Sequence, residues 1–226
     1  IFGKKISDLT KEDKESIAVV YDTNSLPEHL TAKKINNIFK RIYKNWCSDK
    51  FYHMIERLQI PSDTSIKNMS KGNKMKFNLV VALAHNPRLL ILDEMTGVLD
   101  PIMRNDIMQL FLEFVQDEHR SILFSTHITT DLEKIADYIT FINRGRVVFS
   151  KDKDELICNY KLIHCRASKF DEINKTGIIA YKEEKNRVDF IYDCSVCKNF
   201  QYSNDVVIED TSIEDIMLIL TRGHIL

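Results

Sequence analysis

The chain has 226 residues, enough for one large domain or for a medium and a small one. Hydrophobic residues make up 44% and charged residues 29%, the balance of a soluble globular protein, and no window has the apolar length of a membrane span. A net charge of −1 supplies no basic field for nucleic acid, five cysteines fit reduced thiols in a cytosolic protein, and the polar, lysine-rich amino end does not read as a signal peptide.

Ile1-Phe2-Gly3-Lys4-Lys5-Ile6 predicts a strand with a glycine turn, and Ile17-Ala18-Val19-Val20 a short β-branched strand. That second strand ends at Tyr21-Asp22. Asp22 reads on its own as an ordinary turn-opening residue. Thr31 reads as an N-cap, and the spacing of Ile35, Ile38, Phe39, Ile42, Tyr43 and Trp46 predicts a helix over 33–46. A second helix over 51–58 puts Met54, Ile55 and Leu58 on one face and ends at Ile60-Pro61. The aromatics Phe39, Tyr43 and Trp46 fit a core better than a binding stripe. Ser70 caps a helix over about 74–84, and a helix amino terminus with free N–H groups is an anion site.

Leu89-Leu90-Ile91-Leu92 then runs into the paired acids Asp93-Glu94. A run this short and apolar, after Asn86-Pro87, reads as a buried strand of a parallel sheet. Both acids fall at its carboxyl end, where open α/β sheets bind ligands. Asp93 is placed there to hold Mg²⁺ through water, and Glu94 to orient or deprotonate a water that attacks a phosphate. The same residues also read as a buried strand ending in a solvated acidic turn. Asp100 suits a helix cap and Pro101 the first turn of a helix through Ile107, Leu110, Phe111 and Phe114.

Ile122-Leu123-Phe124-Ser125-Thr126-His127 is a second apolar strand closing on a histidine, and a lone histidine at a strand end is more often structural than catalytic. A helix begins over 131–136. The stretches 139–142 and 147–149 form a hairpin across Arg144-Gly145. From Lys151 the pattern weakens to short strands over 162–166, 177–181 and 188–192. A final helix over 212–220 is capped at Ser212, with Glu214 and Asp215 in its first turn. Cys194-x-x-Cys197 has only His164 and Cys165 nearby, at a spacing that favours incidental thiols over a structural zinc.

Four stretches in this order carry a resemblance: Met69-Ser70-Lys71-Gly72-Asn73, the strand ending at Asp93-Glu94, Gly97-Val98-Leu99-Asp100-Pro101, and the strand closing on His127. They resemble the signature loop, Walker B strand, D-loop and switch histidine of ABC transporter ATP-binding subunits. The resemblance covers most of 1–150. It implies an α/β fold, with a P-loop NTPase-type core, an inserted helical subdomain and a small C-terminal α+β extension of the kind found in antibiotic and drug exporters. On this resemblance the N-terminal part of the core is expected to be missing from the sequence. In that scheme 1–32 is a remnant of the core, 33–86 the helical subdomain with the signature motif, 87–150 the core with Walker B, D-loop and switch histidine, and 151–226 the extension.

Onto matching residues the resemblance carries catalytic roles for Glu94 and His127, Mg²⁺ binding for Asp93 and Asp22, and contact with ATP for Ser70, Lys71, Gly72, Asn73 and Asp100. Two departures stand out. The usual signature, Leu-Ser-Gly-Gly-Gln, has lysine at 71 and asparagine at 73 here, and Asp22 stands where glutamine is usual. ATP and Mg²⁺ are the implied cofactors. The implied partners are a second ATP-binding subunit, arranged head to tail, and a separate integral membrane permease, with no nucleic acid; the implied location is the cytoplasmic face of the cell membrane. The complete protein is expected to couple ATP hydrolysis to transport, with export favoured by the extension.

None of the six glycines fits the phosphate cradle G-x-x-x-x-G-K-[ST]. That loop is expected upstream of Ile1, and the chain alone is expected to bind ATP weakly or not at all and to be inactive. Two alternatives compete. A non-transport ABC ATPase acting on DNA or ribosomes calls for two cassettes, a coiled-coil insertion or a basic linker. A degenerate, non-hydrolysing cassette with a docking or regulatory role has no reason to hold Asp93, Glu94 and His127 together.

Overall fold

The computed structural model describes residues 1–196 and 206–225, which fall into two compact units, Ile1–Ile128 and Thr129–Leu226. The first unit contains α1 (Lys11–Glu15), β1 (Ile17–Val20), α2 (Ala32–Ile42), α3 (Ser48–Arg57), α4 (Lys71–Ala84), β2 (Leu89–Asp93), α5 (Pro101–Val115) and β3 (Ser121–Ser125). Its strands form a parallel sheet in the order β1-β2-β3, with Val19, Ile91 and Leu123 side by side. On the other face Ala18, Val20, Leu90 and Leu92 are buried, while α4 packs on β1 and α5 on β3.

Helix α4 buries every residue from 75 to 84 because it is apolar nearly all round, as a core helix must be. Its one buried cation, Lys76, donates from Nζ to the Leu58 carbonyl at 2.6 Å, satisfying the end of α3; burial lowers its pKa.

Three expectations about local structure are corrected. Residues 1–6 form no strand: Phe2 and Gly3 both have positive φ, 52° and 74°, and the Lys4 amide turns back onto the Ile1 carbonyl. A single 3-10 turn, Ile6–Asp8, follows. Helix α2 stops at Ile42, not 46, since Tyr43 turns extended and Trp46 reaches back to donate to Asn36 Oδ1 at 2.8 Å. Phe39, Tyr43 and Trp46 still gather, with ring centroids 5.5–5.7 Å apart about Phe39, but they are half-buried and do not reach full core burial. Helix α4 starts at Lys71, directly after its cap, three residues earlier than expected.

The second unit contains α6 (Thr129–Ile135), β4 (Tyr138–Asn143), β5 (Arg146–Asp152), α7 (Lys153–Asn159), β6 (Tyr160–Arg166), α8 (Ala167–Phe170), β7 (Ile178–Glu184), β8 (Arg187–Asp193), β9 (Val206–Asp210), α9 (Ile213–Arg222) and β10 (His224–Ile225). The β4–β5 hairpin turns across Arg144 and Gly145, both at positive φ, as a two-residue hairpin requires. Five strands form an antiparallel sheet, β10-β7-β8-β6-β9. Leu162 and Ile191 pack on one face against Ile216, Ile219 and Leu220 of α9 and Ile139 and Phe141 of the hairpin. Ile163, Cys165, Val188 and Phe190 pack on the other face with Phe170. Ser212 caps α9 in a reciprocal box with Asp215.

Cys197 lies outside the described residues. Of the other two candidate zinc ligands, His164 Nδ1 is 2.7 Å from Asp189 Oδ1, and Cys165 is buried in the second cluster. Among the described residues no helix is long and apolar enough to cross a membrane.

Candidate functional site

The parallel register sets the site. Val20 pairs with Leu92, and Asp93 with Ser125, so Asp22, the Asp93-Glu94 pair and His127 all follow the carboxyl ends of adjacent strands. That is the end at which such sheets take their ligands.

Asp93 is exposed, and the Ser125 hydroxyl donates to its Oδ1 at 2.6 Å. One carboxylate oxygen is thereby steadied while the other stays open. The Glu94 amide then donates to the Ser125 carbonyl at 3.1 Å, the last rung between β2 and β3.

Glu94 itself adopts the left-handed conformation, φ 49° and ψ 25°, which an acidic side chain adopts only at some cost in free energy. The buried side chains of Met95 and Thr96 hold the turn that follows. This kink leads the chain out of the strand, and Glu94 Oε2 ends 2.5 Å from His127 Nδ1. Both side chains remain open to solvent, 42% and 72% exposed. The imidazole engages one oxygen of a carboxylate and leaves the other free to hold a water, which is the requirement for a positioned base. Thr126 Oγ1 accepts from the Ile128 amide at 3.0 Å and shapes the loop, while a Cβ on Gly97 would touch the His127 ring at 3.6 Å.

The second group lies around the start of α4. Ser70 caps it by accepting the Asn73 amide at 3.2 Å; Lys71 is exposed, and Asn73 Oδ1 is buried with no hydrogen-bond partner among the described residues. Gly72 stands against Leu99 and Met103, where a Cβ would come within 3.9 and 3.6 Å. Asp100 caps α5, with Oδ1 accepting the amides of Ile102 and Met103 at 3.0 and 2.9 Å. The structure therefore brings Gly72 close to the segment that Asp100 opens. Asp22 borders a groove with Thr23, Asn24, Lys71, Lys74, Met75 and Asn78. Among the described residues no hydrogen bond or ion pair links Ser70, Lys71, Gly72 or Asn73 to Asp93, Glu94 or His127.

The sequence reading gave no role to Ser125 or Glu28. Ser125 is detectable only through register, because its hydroxyl matters by being level with Asp93. No three acids, histidines or cysteines among the described residues form a cage for a metal. Such a cage is not what Mg²⁺ in phosphate chemistry calls for, since one or two carboxylates complete a shell made mostly of water and phosphate oxygen. Asp93 with an open oxygen, and Asp22 at the neighbouring strand end, fit that requirement.

The fold is that of the ATP-binding cassettes, a P-loop NTPase fold. A solved dimeric cassette in a post-hydrolysis state, bound to ADP and Pi, superposes with a TM-score of 0.58 at 19% identity, covering 67% of this chain and 71% of that one. The sequence profile of the family described as ABC transporter matches residues 1–97 of the chain. The ABC transporter ATP-binding protein YtrB of Bacillus subtilis is 29% identical over 143 residues, 63% of this chain and 49% of that protein. The bacitracin transport ATP-binding protein BcrA of Bacillus licheniformis is 28% identical over 151 residues, 66% of this chain and 49% of that protein. The chain thus spans about half the length of the curated relatives it matches.

Proposed function

We propose that the protein is the ATP-binding subunit of an ABC transporter, hydrolysing ATP to drive a separate membrane permease, with export as the direction. The observation that carries this reading is the Glu94–His127 contact of 2.5 Å at the carboxyl end of the parallel sheet, beside Asp93. A strained glutamate held by an imidazole next to a second carboxylate is costly to keep in a purely structural turn. Similarity to a bacitracin transport ATP-binding protein supports the transport role.

In this reading Asp93, steadied by Ser125, and Asp22 hold Mg²⁺, which when bound neutralises charge on the β- and γ-phosphates. Glu94 orients the attacking water and takes its proton. His127 fixes the Glu94 carboxylate and stands where the γ-phosphate is contacted. Ser70, Lys71, Gly72 and Asn73 present the start of α4, with its free amides, to the nucleotide of a second subunit, in a head-to-tail pair. Asp100 orders the segment that faces Gly72 and carries contact across the pair. The protein works at the cytoplasmic face of the membrane because its partner lies within it.

The test is phosphate release by the protein together with its membrane partner. Turnover that depends on Mg²⁺ and disappears on chelation is expected. Absence of turnover in the assembled complex would leave a docking cassette that hydrolyses nothing.

A further inference from the structure

The loop that leaves β1 is tied at three points to α4 and to the turn that precedes it. Lys74 Nζ donates to Glu28 Oε1 at 2.7 Å. The Lys67 amide donates to the Glu28 carbonyl at 2.8 Å, and the Ile66 amide to the Leu30 carbonyl at 2.9 Å. Glu28 is therefore held twice, through its side chain by α4 and through its backbone by the turn that leads into Ser70. Lys74 is in turn one helical turn past the cap, with its amide bonded to the Ser70 carbonyl at 2.9 Å. The hydrogen bond from Lys74 also holds the Glu28 carboxyl below its ordinary pKa.

The tie stands beside the groove that Asp22 and Lys71 share. Asn78, 6% exposed, lines the same groove with its Oδ1 unpaired among the described residues. Asp22 has no ion-pair partner among the described residues, so nothing in its own side chain sets its distance from α4. The Glu28 tie does so instead. The Glu28 side chain is 53% exposed, and an ion pair that open adds little to overall stability. Its effect is geometric: beside the two backbone bonds it adds a side-chain hold that reaches α4 itself.

We propose that Glu28 and Lys74 are a positioning pair that fixes the Asp22 loop to the turn carrying Ser70, so that Asp22 meets its own nucleotide and Ser70 the second subunit's in one fixed relation. This rests on the ATPase reading given above for Asp22 and Ser70. Neither residue touches the reacting atoms.

The test combines amide hydrogen exchange without nucleotide and ATPase kinetics with the membrane partner, on wild type, Glu28→Gln, Lys74→Gln and the swap E28K/K74E. Each single variant is expected to speed exchange at the Ile66 and Lys67 amides about two- to fivefold, the scale of a partly exposed pair. Each should lower kcat by a similar factor with KM for ATP nearly unmoved, and the swap should restore both. Unchanged exchange in both single variants would overturn the tie. Faster exchange with kcat unchanged, or a swap no better than the single variants, would overturn the positioning role. A wild type that exchanges as expected yet hydrolyses no ATP would overturn the functional reading, and the positioning role with it, but not the tie.

Discussion

The two units treat their sheets in opposite ways. The antiparallel sheet of Thr129–Leu226 is packed on both faces, one by α9 and the hairpin, the other by the cluster around Phe170 and Phe190. The parallel sheet of Ile1–Ile128 is packed on one face only. Across its other face Val19 is 40% and Leu123 62% exposed, although parallel sheets are ordinarily covered on both sides. Among the described residues the covered sheet carries no cluster that reads as a site, whereas the open one carries Asp22, Asp93, Glu94 and His127 at or just past its strand ends. Packing defines the first sheet, and the chemistry at the strand ends defines the second.

Phe190→Ala should separate the two most sharply. Phe190, on β8, is fully buried with its ring against Phe170, and its loss should cost about 3–5 kcal/mol in urea unfolding of the second unit. A loss under 1 kcal/mol would mean that this face of the sheet is not the packed core described. Ser125→Ala acts on the other unit and on activity rather than stability. Removing the hydroxyl that steadies Asp93 should lower Mg²⁺-dependent turnover about 10- to 100-fold, as loss of such an outer partner typically does. Rescue by excess Mg²⁺ would locate the defect in metal affinity. Leu123→Ser should be the mildest change, within about 0.5 kcal/mol, because the side chain already faces solvent. A large destabilisation there would show that the face is covered in solution.

The elements that the sequence made legible are those with one strong local signal. The apolar run before Asp93, the cap and proline at Asp100-Pro101 and the hairpin at Arg144-Gly145 each follow from a rule about neighbouring residues. The C-terminal sheet was blurred for a physical reason. In β6, Leu162 enters one cluster while Ile163 and Cys165 enter the other, so the two-residue alternation that marks a half-buried strand is missing. Strand β9 and helices α7 and α8 are short and went unread. The false strand at 1–6 came from taking apolar ends as a strand where two left-handed residues reverse the chain. Within the site, the acids and the histidine were readable from their positions after apolar runs. The left-handed turn at Glu94, the Ser125 hydroxyl and the Glu28–Lys74 tie depend on register and folding, which no local pattern records.

The most direct test of the central claim is ATP turnover and ATP binding by Glu94→Gln, measured side by side with wild type in the presence of the membrane partner. The amide keeps the shape and cannot take a proton from water, so turnover should fall by about 10²–10⁴-fold with nucleotide binding retained. Hydrolysis at the wild-type rate in that variant would contradict the assignment of Glu94 as the base, and with it the reading of this strand end as the hydrolytic site.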